Sequence, residues 1–128
     1  MKNYDVLDSL EKMVDYYLAG GEGYILNESY TEILKLDKML SEANIPHSLE
    51  RFMDGWQVCY PKSENRIADA IEHCGSYGNT ANLLELMGLL TSEELEHDAV
   101  VGGLTADEVF KRFKEHYENT VKEKEHDR

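Results

Sequence analysis

Residues 47–60 constrain the fold of this chain more than any other stretch. They read His47-Ser48-Leu49-Glu50-Arg51-Phe52-Met53-Asp54-Gly55-Trp56-Gln57-Val58-Cys59-Tyr60. Asp-Gly between two alternating runs is a hairpin signature, because a tight type I′ turn needs positive φ at both central residues. On the first run Leu49, Arg51 and Met53 alternate with Ser48, Glu50 and Phe52. On the return, Trp56, Val58 and Tyr60 share one face while Gln57 and Cys59 share the other. Pro61 ends the second run. An isolated hairpin is marginal in water, so it requires a third strand or a covering helix.

Residues 63–74 can supply that neighbour, although they fit two periods. Ile67, Ala70, Ile71 and Cys74 suit a helix capped by Ser63, whereas Ile67, Asp69, Ile71 and His73 against Ala68, Ala70, Glu72 and Cys74 suit a strand. Periodicity does not separate the two. The need of the hairpin for a partner selects the strand and gives a three-stranded antiparallel meander. Helical spacing recurs elsewhere. Leu7, Leu10, Val14 and Leu18 mark a helix over 5–19, stopped by Gly20-Gly21 and followed by a short link, 23–26. Ile33, Leu36, Leu40 and Ala43 mark a second helix, opened by a Ser29/Glu32 capping box and ended at Asn44-Ile45-Pro46. Leu83 to Leu90 is apolar nearly all round and reads as a buried helix. Thr91/Glu94 and Thr105/Glu108 are further capping boxes; the second opens a helix with Val109, Phe110, Phe113 and Tyr117 on one side. Val100-Val101-Gly102-Gly103 reads as a linker or edge segment. The expected fold is α+β, a small antiparallel sheet of about three strands covered by three to five helices. It forms a single domain over 1–128, with an N-terminal helix and link at 1–26 and a frayed charged tail at 119–128.

The length of 128 residues suits one domain with a real core. Two cysteines, Cys59 and Cys74, match neither a zinc spacing nor a Cys-x-x-Cys motif and do not suggest a secreted disulfide scaffold. No apolar run approaches the roughly 18 residues of a membrane span, and the N-terminus lacks a signal pattern. A cytoplasmic setting without membrane contact is expected. The formal charge is −13, from 26 acidic and 13 basic residues. That balance opposes direct nucleic-acid binding and favours a basic protein partner.

Catalytic signatures are weak. Five histidines form no His-Glu-x-x-His; Glu94-Leu95-Glu96-His97 holds a single Glu-x-x-His, short of the pair that a di-iron bundle uses. No metal ligand, cofactor or catalytic residue is assigned. A cysteine nucleophile would need Cys59 or Cys74 beside a base such as His73, with Glu72 close by, and no signature surrounds either. The loop Gly75-Ser76-Tyr77-Gly78-Asn79-Thr80 is a better candidate. Its glycines and amides could hold an anion, with Tyr77 stacking on a base and Arg66 pairing a phosphate. Arg66, His73, Ser76, Tyr77, Asn79 and Thr80 are therefore candidate ligand-binding residues. The plainer reading is a turn in which Asn79 or Thr80 caps the next helix. Trp56 and Tyr60 are candidate interface anchors, towards a partner or a second copy of the chain, if their sheet face is open.

The stretches Leu36-Asp37-Lys38-Met39-Leu40, Ile45-Pro46-His47, Asp54 to Pro61, Gly75-Ser76-Tyr77-Gly78, Leu83 to Leu90 and Leu104 to Phe110 resemble a family of small uncharacterised proteins of phages and prophages of Gram-positive, largely gut-associated bacteria. The resemblance covers roughly 30–118 and brings no activity or catalytic residues with it. What it implies is context: a phage accessory protein in a host cytoplasm. The leading expectation is a non-enzymatic counter-defence inhibitor that binds a host protein with a basic surface through its own acidic surface. The alternative is a sponge that sequesters a small nucleotide ligand at Gly75–Thr80, as a homo-oligomer. A small unrecognised enzyme is third.

Overall fold

The computed structural model of the chain describes residues 30–74, 76 and 81–126. The helix expected over 5–19, the link at 23–26, Ser29, Gly75 and residues 77–80 lie outside the described residues. Strands β1 (Ser48–Phe52), β2 (Gly55–Tyr60), β3 (Ala68–Glu72), β4 (Leu84–Met87) and β5 (Val100–Leu104) form one sheet in sequence order, every pair antiparallel. Helix α1 (Glu32–Glu42) precedes the sheet, α2 (Ser92–His97) joins β4 to β5, and α3 (Ala106–His126) follows β5. Helix α1 packs on β2, β3 and α3, while α2 packs on β5. Among the described residues no helix is long and apolar enough to cross a membrane.

The three-stranded sheet expected from the sequence is too small. The hairpin and the strand within 63–74 both form, but Leu83–Leu90 is not a helix. Leu84 and Leu86 are buried, Glu85 is half-buried and Met87 is exposed, which is the alternation of a strand. Asn82, Gly88 and Leu89 all have positive φ and interrupt the backbone on either side of β4. Four extended residues between such breaks leave no length for a helix. Val100–Leu104 then forms an edge strand of the sheet, the second of the two readings of that segment.

The hairpin turn also differs in detail. Phe52 pairs with Gly55, so Met53-Asp54 form the two-residue loop, with Met53 at φ +55. Gly55 opens β2 and is required for a different reason. A Cβ there would stand 1.8 Å from the Glu72 carbonyl oxygen, so only glycine lets β2 approach β3 this closely.

One face of the sheet meets the helices. Val58, Tyr60, Ala68, Ala70, Leu84 and Leu86 pack there against Ile33, Leu36 and Leu40 of α1 and Ala106, Val109 and Phe113 of α3. Tyr60 stacks on Phe113 with ring centroids 4.9 Å apart. The C-terminus of α1 follows the sequence expectation: Asn44 turns left-handed at φ +57, and Ile45 N–H donates to Leu40 O while Asn44 N–H donates to Ser41 O, a Schellman closure. At its N-terminus the cap is Thr31, with Glu32 the first helical residue; Ser29 of the expected box lies outside the described residues. Asn82 Oδ1 accepts from Thr31 N and Glu32 N at 3.0 and 3.2 Å, and Glu72 Oε1 accepts from Ile33 N at 3.2 Å. The Glu32 carboxylate instead accepts from Ala106 N at 2.6 Å, the first turn of α3. The local boxes at Thr91/Glu94 and Thr105/Glu108 both form.

Candidate functional site

Two places gather reactive or exposed chemistry. The first lies where the hairpin turn meets the end of β3. Trp56 pairs with Glu72, so two residues further on the register brings Asp54 to Cys74. Cys74 N–H donates to Asp54 Oδ1 at 2.8 Å. The ligating atoms of Asp54, His73 and Cys74 all lie within 4.8 Å of one another. The His73 ring is buried and tilted on Phe52, centroids 4.8 Å apart. Burial lowers its pKa, opposed by Asp54 and Glu85, and so favours neutral imidazole. Local desolvation, then the Asp54 carboxylate, push the Cys74 thiol up.

Of the candidate ligand residues that are described, Arg66 stands apart from His73 and Ser76. Arg66 precedes β3 and pairs with Asp69 at 3.6 Å, whereas His73 and Ser76 follow β3. The strand between them spans about 13 Å. The Ser76 hydroxyl donates to His73 O at 2.9 Å and accepts from His73 N at 3.0 Å, so it closes a local turn. Tyr77, Asn79 and Thr80 are outside the described residues. Tyr60 is 2% exposed and fills the core, with its hydroxyl 2.7 Å from His116 Nδ1; burial raises its pKa. Trp56 is half-buried against the same core. Tyr60 therefore presents no open face to a partner. Of the enzyme candidates, the strand register separates Cys59 and Glu72 from His73, while Cys74 and His73 come within 4.8 Å of each other. Cys59 pairs with Asp69 rather than His73, and Glu72 alternates to the opposite face from His73.

The second place is the surface around α2, which the sequence did not single out. This helix buries none of its own residues. It is nonetheless held firmly. Thr91 and Glu94 complete a capping box, and Arg112 of α3 grips Glu94 with both terminal nitrogens at 2.7 and 2.8 Å while also donating to Leu89 O. The Arg112 hydrogen bonds, with the Thr91 amide behind them, hold the Glu94 carboxyl at about 2. Leu95 points outward, 59% exposed, among Glu93, Glu96 and Asp98. At the N-cap of α2, Thr91, an open groove of about 590 Å³ has Leu89 and Leu90 on one side and Glu108, Lys111 and Glu115 of α3 on the other. The Thr91/Glu94 capping box does mark the start of α2 in the sequence. Leu95 itself carried no signal, because an outward leucine and a core leucine look alike in a short helix.

No family model, curated protein or solved structure matches the chain.

Proposed function

We propose that this chain is a non-enzymatic binding protein that docks a basic segment of a partner protein through α2 and the adjoining groove. The observation that carries the reading is Leu95. It is the most exposed large apolar side chain among the described residues, on a helix that is rigidly held yet buries nothing of its own. Interfaces use such an apolar anchor for affinity and the surrounding charge for steering and orientation. The residues flanking Leu95 are acidic, Glu93, Glu96 and Asp98, the groove adds Glu108 and Glu115 against Lys111, and the overall charge of −13 supports the same partner sign. The finer reading is a phage or prophage accessory protein that blunts a host defence protein in this way. That context rests on the resemblance of residues 30–118 alone.

The test is affinity capture from a lysate of a Gram-positive gut bacterium, with wild type, Leu95→Asp and Glu93→Lys/Glu96→Lys run in parallel. We expect a protein held by wild type at low salt, absent with either variant, and released from wild type as salt rises to about 0.5 M, where the screening length falls to a few ångström. A partner retained equally by Leu95→Asp refutes the reading.

A further inference from the structure

We propose that Asp54, His73 and Cys74 form a three-ligand site for a divalent first-row transition-metal ion of the zinc class, with solvent in the fourth position. The inference is independent of the docking surface on α2, which lies on other elements.

Three observations carry it. The first is the donor set. A thiolate sulfur, an imidazole nitrogen and a carboxylate oxygen are what such ions take, whereas calcium and magnesium prefer oxygen alone. The second is proximity. Tetrahedral coordination with metal–ligand distances of about 2.0–2.3 Å places donors roughly 3.3–3.6 Å apart. The three donor atoms here lie within 4.8 Å of one another. Closing the set therefore asks for little more than about 1 Å, within reach of rotations at exposed Cys74 and at Asp54 on its turn. The third is support behind the ligands. The turn after β3 is closed twice by the Ser76 hydroxyl and once more by Ser76 N–H donating to His73 O at 3.1 Å. Phe52 backs the His73 ring, and the Cys74 amide fixes Asp54. Sites of this kind depend on such backing to hold ligand geometry. The ligands come from two segments, the β1–β2 turn and the end of β3. A bound ion would thus pin the hairpin tip to the end of β3.

The test uses the full chain stripped with EDTA and titrated with Co²⁺, followed by displacement with Zn²⁺. We expect one ion per chain and a near-ultraviolet thiolate-to-cobalt charge-transfer band. Cys74→Ser should abolish the band. Asp54→Asn, which keeps the acceptor for the Cys74 amide, should weaken Co²⁺ binding at least about tenfold. Cys59→Ser should leave the band in place, since that sulfur is buried on β2 opposite Asp69. Cys74 is exposed, so its serine variant is expected to fold, and far-ultraviolet circular dichroism checks this. A thiolate band that survives Cys74→Ser, or the lack of any band under excess Co²⁺, overturns the proposal.

Discussion

Glu72 gives the sharpest quantitative test of the core. Its side chain is fully buried on the helix-facing side of β3. Oε1 accepts from Ile33 N, while Oε2 has no hydrogen-bond partner. Burial raises the carboxyl from an ordinary value of 4.5 to about 7; the Ile33 and Glu32 amides oppose this, and the Glu32 charge adds to it. Because the folded value lies above the unfolded one, the native state binds the extra proton between these limits. Stability is therefore highest below about pH 4.5 as far as this group is concerned, and falls as pH rises toward 7. Each pH unit in that window costs about 1.4 kcal/mol, so the charged form costs roughly 3 kcal/mol above neutrality. Glu72→Gln keeps an acceptor for Ile33 N–H and cannot ionise. Near pH 5 the two proteins should differ by about 1 kcal/mol or less, as two neutral groups of one shape. At pH 8 the glutamine variant should be about 2–3 kcal/mol more stable. Urea unfolding of both proteins at the two pH values, with EDTA present, gives the double difference and cancels the other titrating groups. A wild-type-to-variant difference that stays constant from pH 5 to pH 8 refutes the reasoning.

Two further substitutions test close approach and capping. Gly55→Ala should cost more than about 3 kcal/mol or prevent folding, because the new Cβ would collide with the backbone at Glu72; a thermal-unfolding shift equivalent to less than about 1 kcal/mol would contradict the β2–β3 packing. Asn82→Ala should cost about 2 kcal/mol in denaturant unfolding, since two amides of α1 lose their acceptor and alanine tolerates φ +55 poorly. Asn82→Asp retains that acceptor and should cost clearly less, and equal losses for the two would remove the capping role.

The local signals that hold are the hairpin alternation and two capping boxes, while contacts between distant residues leave no local mark. The Leu49–Tyr60 alternation and the Thr91/Glu94 and Thr105/Glu108 boxes each involve residues close in sequence, and each forms. The strand over Ala68–Glu72 followed from a requirement, the hairpin's need for a neighbour, where periodicity was silent. The strand at Leu84–Met87 was missed because Leu83 to Leu90 is apolar enough to hide an alternation of only four residues. Only the left-handed backbone at Asn82, Gly88 and Leu89 reveals where it starts and stops. Ser29/Glu32 has the spacing of a capping box, but Glu32 serves α3 and the start of α1 is served by Asn82 and Glu72. No rule of local spacing pairs residues about fifty positions apart. The same applies to the candidate metal site. His73 and Cys74 are adjacent, but Asp54 joins them only through the β2–β3 register.

The crossed capping of the two long helices bears on the order in which the molecule can assemble. All five strands pair with chain neighbours, so the sheet grows by short loop closures, which cost little entropy and proceed quickly. Helix α1 leaves the ribosome before any of them. Its first amides nevertheless wait for Asn82, 51 residues later at Thr31, and the start of α3 lies 74 residues beyond the Glu32 that receives its amide. An 11-residue helix is marginal alone in water. Its N-terminal end, and the start of α3, are therefore fully satisfied only once residues from β3, the segment before β4 and both helices are in place together.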